Sequence, residues 1–165
     1  MREQVQTALF WLGLAGAVGV PAGLIASKQA LLHSGRTVLL PLAPVDPRSL
    51  MQGDYMDLRY ALAMDALQQS DTGPAWPERG AFRVRLDGDG VGTLVGLDKG
   101  APLGPDEVRL KYRNVHSTPH IGAESYFFQE GQRAQFDHAA YGELRVGEDG
   151  TALLVGLRDR NRVAM

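Results

Sequence analysis

No cysteine occurs among the 165 residues. Disulfides, cysteine-ligated zinc and thiol catalysis are therefore excluded. Neither sign of charge is in surplus: 17 Lys and Arg stand against 19 Asp and Glu, a formal net charge of -2. A nucleic-acid partner is not expected, because such binders carry a basic excess. A Gly-x-x-x-x-Gly-Lys-Ser/Thr phosphate cradle is also missing. What is present is ordinary for a packed chain: 44% hydrophobic and 22% charged residues, which excludes a disordered polymer. The length suits one domain plus an extra element.

Charge is missing altogether from Val5 to Ala26. At the helical rise these 22 residues cover about 33 Å, enough for a hydrocarbon core of about 30 Å. In lipid a helix is the only single-segment solution, since every backbone N–H and C=O must pair internally. Pro21 is tolerated in such a helix and is a candidate kink. A cleaved signal peptide is the competing reading, with Val20-Pro21-Ala22 as a weak small-residue site. The run is long for that role, and an uncleaved anchor is the preferred reading. Arg2 precedes the run while Lys28 and Arg36 follow it, so the Lys/Arg rule alone does not place the N-terminus inside. Ala15, Gly19 and Gly23 recur four apart, a small-residue stripe along which another helix can approach closely.

From Ser27 to Ser34 the composition stays helical, and Gly35 is a natural stop. The period then changes from 3.6 to 2. Thr37 to Leu42 reads as a strand. Apolar and polar residues alternate in Met56 to Tyr60, Phe82 to Leu86, Val108 to Arg113 and Leu144 to Val146. Gly147 to Gly150 predicts a hairpin turn into Thr151 to Leu157, and Asp87 to Gly90 a second into Val91 to Leu97. Ile121 to Phe128 adds a strand. Ser70 to Gly80 reads as a loop, and Gly131 to Ala140 as a short helix or extended connection. Alternation implies antiparallel sheet with one face on the core.

Residues 53–60 read Gly53-Asp54-Tyr55-Met56-Asp57-Leu58-Arg59-Tyr60. Physically, Gly53-Asp54 makes a tight turn, after which Met56, Leu58 and Tyr60 face the core and Tyr55, Asp57 and Arg59 face away. The octamer resembles the signature of the bacterial GDYXXLXY family, matching at Gly53, Asp54, Tyr55, Leu58 and Tyr60. The lead-in from Pro44 to Leu50, with Arg48, and a second block, Gly122 to Phe127 with Glu124, Ser125 and Tyr126, resemble that family too. The resemblance implies a single-pass protein of the inner membrane with its domain on the periplasmic side, accompanying a polytopic membrane protein. It implies no chemistry.

Catalytic patterns are incomplete. Leu50 to Asp54 resembles part of the signal peptidase serine box, but the nucleophile's position holds Val45, which has no hydroxyl to activate. Ser49 or Ser125 could join His116, His120 or His138 only by tertiary contact. His116 and His120 have a ligand-like spacing, yet Pro119 argues against the helix it requires and no third ligand is implied, so His116 to His120 reads as a polar loop. Asp87-Gly88-Asp89-Gly90 lacks the terminal glutamate of a calcium loop.

The sequence therefore predicts a mainly β protein: one transmembrane helix, then an antiparallel barrel or sandwich of about seven to eight strands. Residues 1–34 form the anchor and its extension, and 35–165 the extracytoplasmic domain. The expected role is a non-enzymatic accessory or interaction protein of the envelope, with no catalytic residue, metal or cofactor assigned. The rival is an envelope enzyme or small-ligand module with a pocket near Asp54, Tyr55 and Glu124, joined by Arg48 or a histidine.

Overall fold

A computed structural model of the chain describes residues 2–43, 55–71, 76–129 and 133–165. It divides into two compact units, Met1–Ser34 and Gly35–Met165.

The first unit is a single helix, α1 (Arg2–Ser34). Its 33 residues extend about 50 Å. Pro21 lies inside the helix without ending it. The portion Leu9–Ser34 is long and apolar enough to cross a membrane, and its side chains are exposed. Ser27 and Ser34 turn their hydroxyls back onto the carbonyls of Leu24 and Ala30, each at 2.8 Å, so neither leaves a bare polar group on an apolar helix.

The second unit holds nine strands among the described residues: β1 (Arg36–Pro41), β2 (Tyr55–Asp57), β3 (Arg79–Leu86), β4 (Gly92–Leu97), β5 (Glu107–Val115), β6 (Thr118–His120), β7 (Ser125–Phe127), β8 (Tyr141–Val146) and β9 (Ala152–Arg158). Two helices join them, α2 (Ala61–Asp71) and α3 (Arg133–Phe136). Every named pair is antiparallel, in sheets ordered β1-β8-β9, β2-β7 and β4-β3-β5-β6. Two backbone bonds join the larger sheets. The Leu39 amide donates to Gly90 O at 2.9 Å, and the Lys111 amide to Gly150 O at 2.8 Å. The strands thus curl into a half-barrel around one core.

That core is the inward half of each alternating segment. Val38 and Leu40 come from β1, Phe82, Val84 and Leu86 from β3, Leu110 and Tyr112 from β5, and Leu144 and Val146 from β8. The predicted strands fall where the alternation places them, and both hairpins form. In the first, the Asp87 carboxylate accepts the amides of Asp89 and Val91 at 2.9 Å. In the second, the Asp149 carboxylate accepts the Thr151 amide at 3.0 Å.

Three segments differ from expectation. Residues 61–71 fold as α2, whose Leu62 and Ala66, one turn apart, are buried. The loop expected from Ser70 therefore begins inside this helix. The strand expected over Ile121 to Phe128 contracts to β7, because Gly122 takes a left-handed φ of 80° and breaks the extension. His116 to His120 is not a loop but the turn and second strand of a β5–β6 hairpin, which brings the count to nine. In that hairpin Val115 faces Thr118, and the two residues between them both have positive φ, His116 at 49° and Ser117 at 64°. This is the two-residue turn that normally selects Asn-Gly. The H116N/S117G double variant is expected to gain about 1 kcal/mol, the left-handed strain relieved less the added freedom of the unfolded glycine. Thermal unfolding of the pair checks it.

The outward half of β3 and β5 is basic and is largely paired. Arg83 contacts Asp98 at 3.3 Å and Glu107 at 3.1 Å, Arg85 reaches Glu107 at 3.5 Å, and Arg109 bonds Asp98. Bonds from Arg109, then Arg83 and the Gly100 amide, hold the Asp98 carboxyl below its usual range against the opposing effect of burial. A folded-state pKa depressed in this way contributes stability that is complete above the unfolded value, near about 4, and is lost as pH falls through the folded value. Asp98→Asn is expected to cost about 1.5–3 kcal/mol near neutral pH. It should also flatten the acid limb of a Tm-against-pH profile, which the wild type descends more steeply.

Candidate functional site

The two blocks singled out in the sequence meet. Strands β2 and β7 pair so that Tyr55 faces Phe127, Met56 faces Tyr126 and Asp57 faces Ser125. The ladder runs one residue further, with the Leu58 amide donating to Glu124 O at 2.6 Å. Alternation then sets the faces as expected: Met56, Leu58 and Tyr60 are buried, while Asp57 and Arg59 are exposed.

Tyr60 fastens the end of this unit. Its hydroxyl donates to Ala123 O at 2.6 Å. Burial, with a smaller push from the Glu124 carboxylate, drives its pKa far above the usual phenol range. It is therefore a fixed donor, not an acid. Gly142 on β8 makes room for its ring, since a Cβ there would lie 2.9 Å from Tyr60 Cε1. The signature's last tyrosine and a glycine more than 80 positions away thus form one packing unit.

Beside it lies a cavity of about 420 Å³ between β2, α2 and the β6–β7 connection. Its walls are mostly apolar, from Leu58, Leu62, Ala63, Met64, Leu67 and Ile121, with Glu124 and His120 among the polar groups. One Glu124 oxygen accepts the Ile121 amide, and the other stands 3.9 Å from His120 Nδ1. The volume and the few convergent polar groups fit a small ligand. Chemically, the site can enclose an apolar body and offer Glu124 as an acceptor.

The remaining sequence candidates are dispersed. Arg48, Gly53 and Asp54 lie outside the described residues, as do Val45 and Ser49. Tyr55 is half-buried, its ring 5.8 Å from that of Phe127. Tyr126 packs edge-on against Phe136 at 5.2 Å. Ser125 is exposed on β7, opposite Asp57. Ala15, Gly19 and Gly23 are on α1, and open space surrounds the two glycines. Among the described residues, no three His, Asp or Glu side chains converge on a metal position. Sequence reasoning missed α2 as a cavity wall, and it left open which histidine would stand near Glu124, a position that His120 takes. The available signal was the i, i+4 pairing of Leu62 with Ala66 and Ala63 with Leu67.

An apolar helix suited to a single-pass anchor, followed by a curled antiparallel domain whose signature strand pairs with a second block, defines a class of membrane-anchored β-domain proteins. The chain belongs to the GDYXXLXY protein family, whose family model matches residues 17–157. No curated protein and no solved structure matches it.

Proposed function

We propose that the protein is a single-pass accessory subunit of the bacterial inner membrane. In this reading residues 5–26 cross the bilayer, the domain from residue 35 onward lies on the periplasmic side, and a polytopic membrane protein is the partner. One observation carries it: from Leu9 to Ala26 α1 is apolar on every face and exposed, and a Cβ added at Gly19 or Gly23 would meet nothing within 4 Å. Such a surface suits lipid on most sides and a close helix neighbour on one. The role is binding rather than catalysis: among the described residues, polar groups of the head domain go chiefly to turns, ion pairs and Tyr60's bond to Ala123.

The test is purification of the full-length protein from membranes in mild detergent, with mass spectrometry of what accompanies it. A polytopic partner is expected, and its yield should fall in the G19L/G23L variant. Recovery as a lone monomer after gentle crosslinking would overturn the reading.

A second reading is favoured by the cavity. A small-ligand module needs an enclosed apolar space with a charged anchor, and Glu124 beside His120 supplies one. Asp54 and Arg48, the other groups expected there, are outside the described residues. Ligand-dependent stabilisation lost in Glu124→Gln, which keeps an oxygen for the Ile121 amide, would favour this reading.

A further inference from the structure

The outward face of the four-stranded sheet is divided. At one end, Arg83, Arg85 and Arg109 are matched by Asp98 and Glu107. At the other end the register places Arg79 opposite Arg113, and Arg113 opposite His120. Three basic residues thus stand in one row across β3, β5 and β6. Lys111 is two positions along β5, on the same face, and it is held by Asp149 at 2.7 Å. These four side chains, with Tyr112, Ile121 and Gly122, line an open depression of about 330 Å³. Among the described residues, neither Arg79 nor Arg113 has an ion-pair partner.

Directly opposed residues in an antiparallel pair have Cβ atoms about 5 Å apart, and like charges there are destabilising. Asp149 is taken by Lys111 and Glu124 stands 3.9 Å from His120, so two opposed guanidiniums without an ion-pair partner leave a local positive potential. Guanidinium forks match the oxygens of phosphate and bind them in pairs. We propose that the Arg79–Arg113–His120 row is a binding site for a phosphate group. His120 and Ile121 also line the apolar cavity beside α2. A phosphate carried on an apolar body would therefore find both halves of its chemistry adjacent.

The test uses the full-length protein in discs of zwitterionic lipid, read by amide hydrogen exchange over residues 113–120. Inorganic phosphate at ten times its dissociation constant should slow exchange in this hairpin by up to about tenfold. Sodium chloride at equal ionic strength should not. Arg79→Gln and Arg113→Gln should each abolish the response. The free Arg113→Gln protein should be no less stable than the wild type, because the cross-strand repulsion is removed. Arg85→Gln, on the same face but paired with Glu107, should respond as the wild type does. Discs containing phosphatidylglycerol, without added phosphate, separate the sources. Protection there assigns the site to a lipid headgroup, and protection by inorganic phosphate alone assigns it to a soluble phosphate; either supports the proposal. Equal protection by chloride, a response that survives both arginine substitutions, or no protection by either probe would overturn it.

Discussion

Replacing Phe82 by alanine is expected to cost about 3–5 kcal/mol, a large fraction of the stability of an ordinary domain. Phe82 is fully buried at the centre of β3, between Leu97 of β4 and Leu110 of β5. Its ring stacks on Tyr112, with centroids 4.2 Å apart, and meets Trp76 edge-on at 5.1 Å. The loss therefore has two parts. One is the transfer of a large apolar side chain together with the cavity it leaves. The other is two aromatic pairs, each worth about 0.5–1.5 kcal/mol beyond area. Neighbours are poorly able to collapse into the space. Tyr112 is tethered by its hydroxyl to Pro77 O, and Asn114 holds the Trp76–Pro77 backbone by bonds of 3.2 and 2.9 Å. Urea unfolding checks this: the midpoint should fall by more than about 1 M at unchanged slope. A loss below about 1 kcal/mol would mean that the aromatic group is not the centre of the core. Phe82→Leu, which refills most of the volume, should recover part of the loss.

The Phe82 strand also shows why part of this fold was legible. Phe82-Arg83-Val84-Arg85-Leu86 alternates without exception, and a period of two has one structural meaning when one face is buried. The arginines it sends outward then required acids, and Asp98 and Glu107 supply them from elsewhere in the chain. That matching could not be read, because register is a tertiary property. The β5–β6 hairpin was illegible for a local reason. Its turn places histidine and serine where backbone sterics favour asparagine and glycine, so the usual mark was missing and a strand of three residues passed for loop. Helix α2 was overlooked although its pattern was present, since Leu62 and Ala66 keep helical spacing directly after a segment of clear alternation.

The candidate site divides in the same way. That Leu58 and Tyr60 face inward followed from alternation. That the second block lies against the first did not, and Glu124 owes its position to that pairing through the Leu58–Glu124 backbone bond. Tyr60 links the two levels. It closes its own strand, caps the second block at Ala123 and packs into the space left by Gly142. Much of the signature is thus explained by assembly of the half-barrel, and the cavity beside it is completed, against Leu58 and Tyr60, by residues of α2 and β6 on which the signature is silent.

Val18→Asp should weaken the protein's hold on the membrane. Val18 lies within the Leu9–Ser34 portion of α1 and is 62% exposed, so the substitution disturbs no packed core. On an insertion scale valine at the helix centre is favourable by a few tenths of a kcal/mol and aspartate unfavourable by about 3, a change of about 3–4 kcal/mol. At about 1.4 kcal/mol per decade that is a shift of more than a hundredfold in the insertion equilibrium. The other apolar side chains of Leu9–Ser34 still favour lipid, so insertion is weakened rather than abolished. The wild type is therefore expected in the carbonate-resistant membrane fraction and the variant there in a clearly smaller share, with the urea midpoint of the head domain unchanged. Intact mass of the wild type settles the competing reading of the same segment: loss of residues 1–22 would mean cleavage after Ala22, and the full mass an anchor that stays. Full-mass wild-type protein that carbonate extracts into the soluble fraction would overturn the anchor, because no other described segment is long and apolar enough to cross a membrane as a helix.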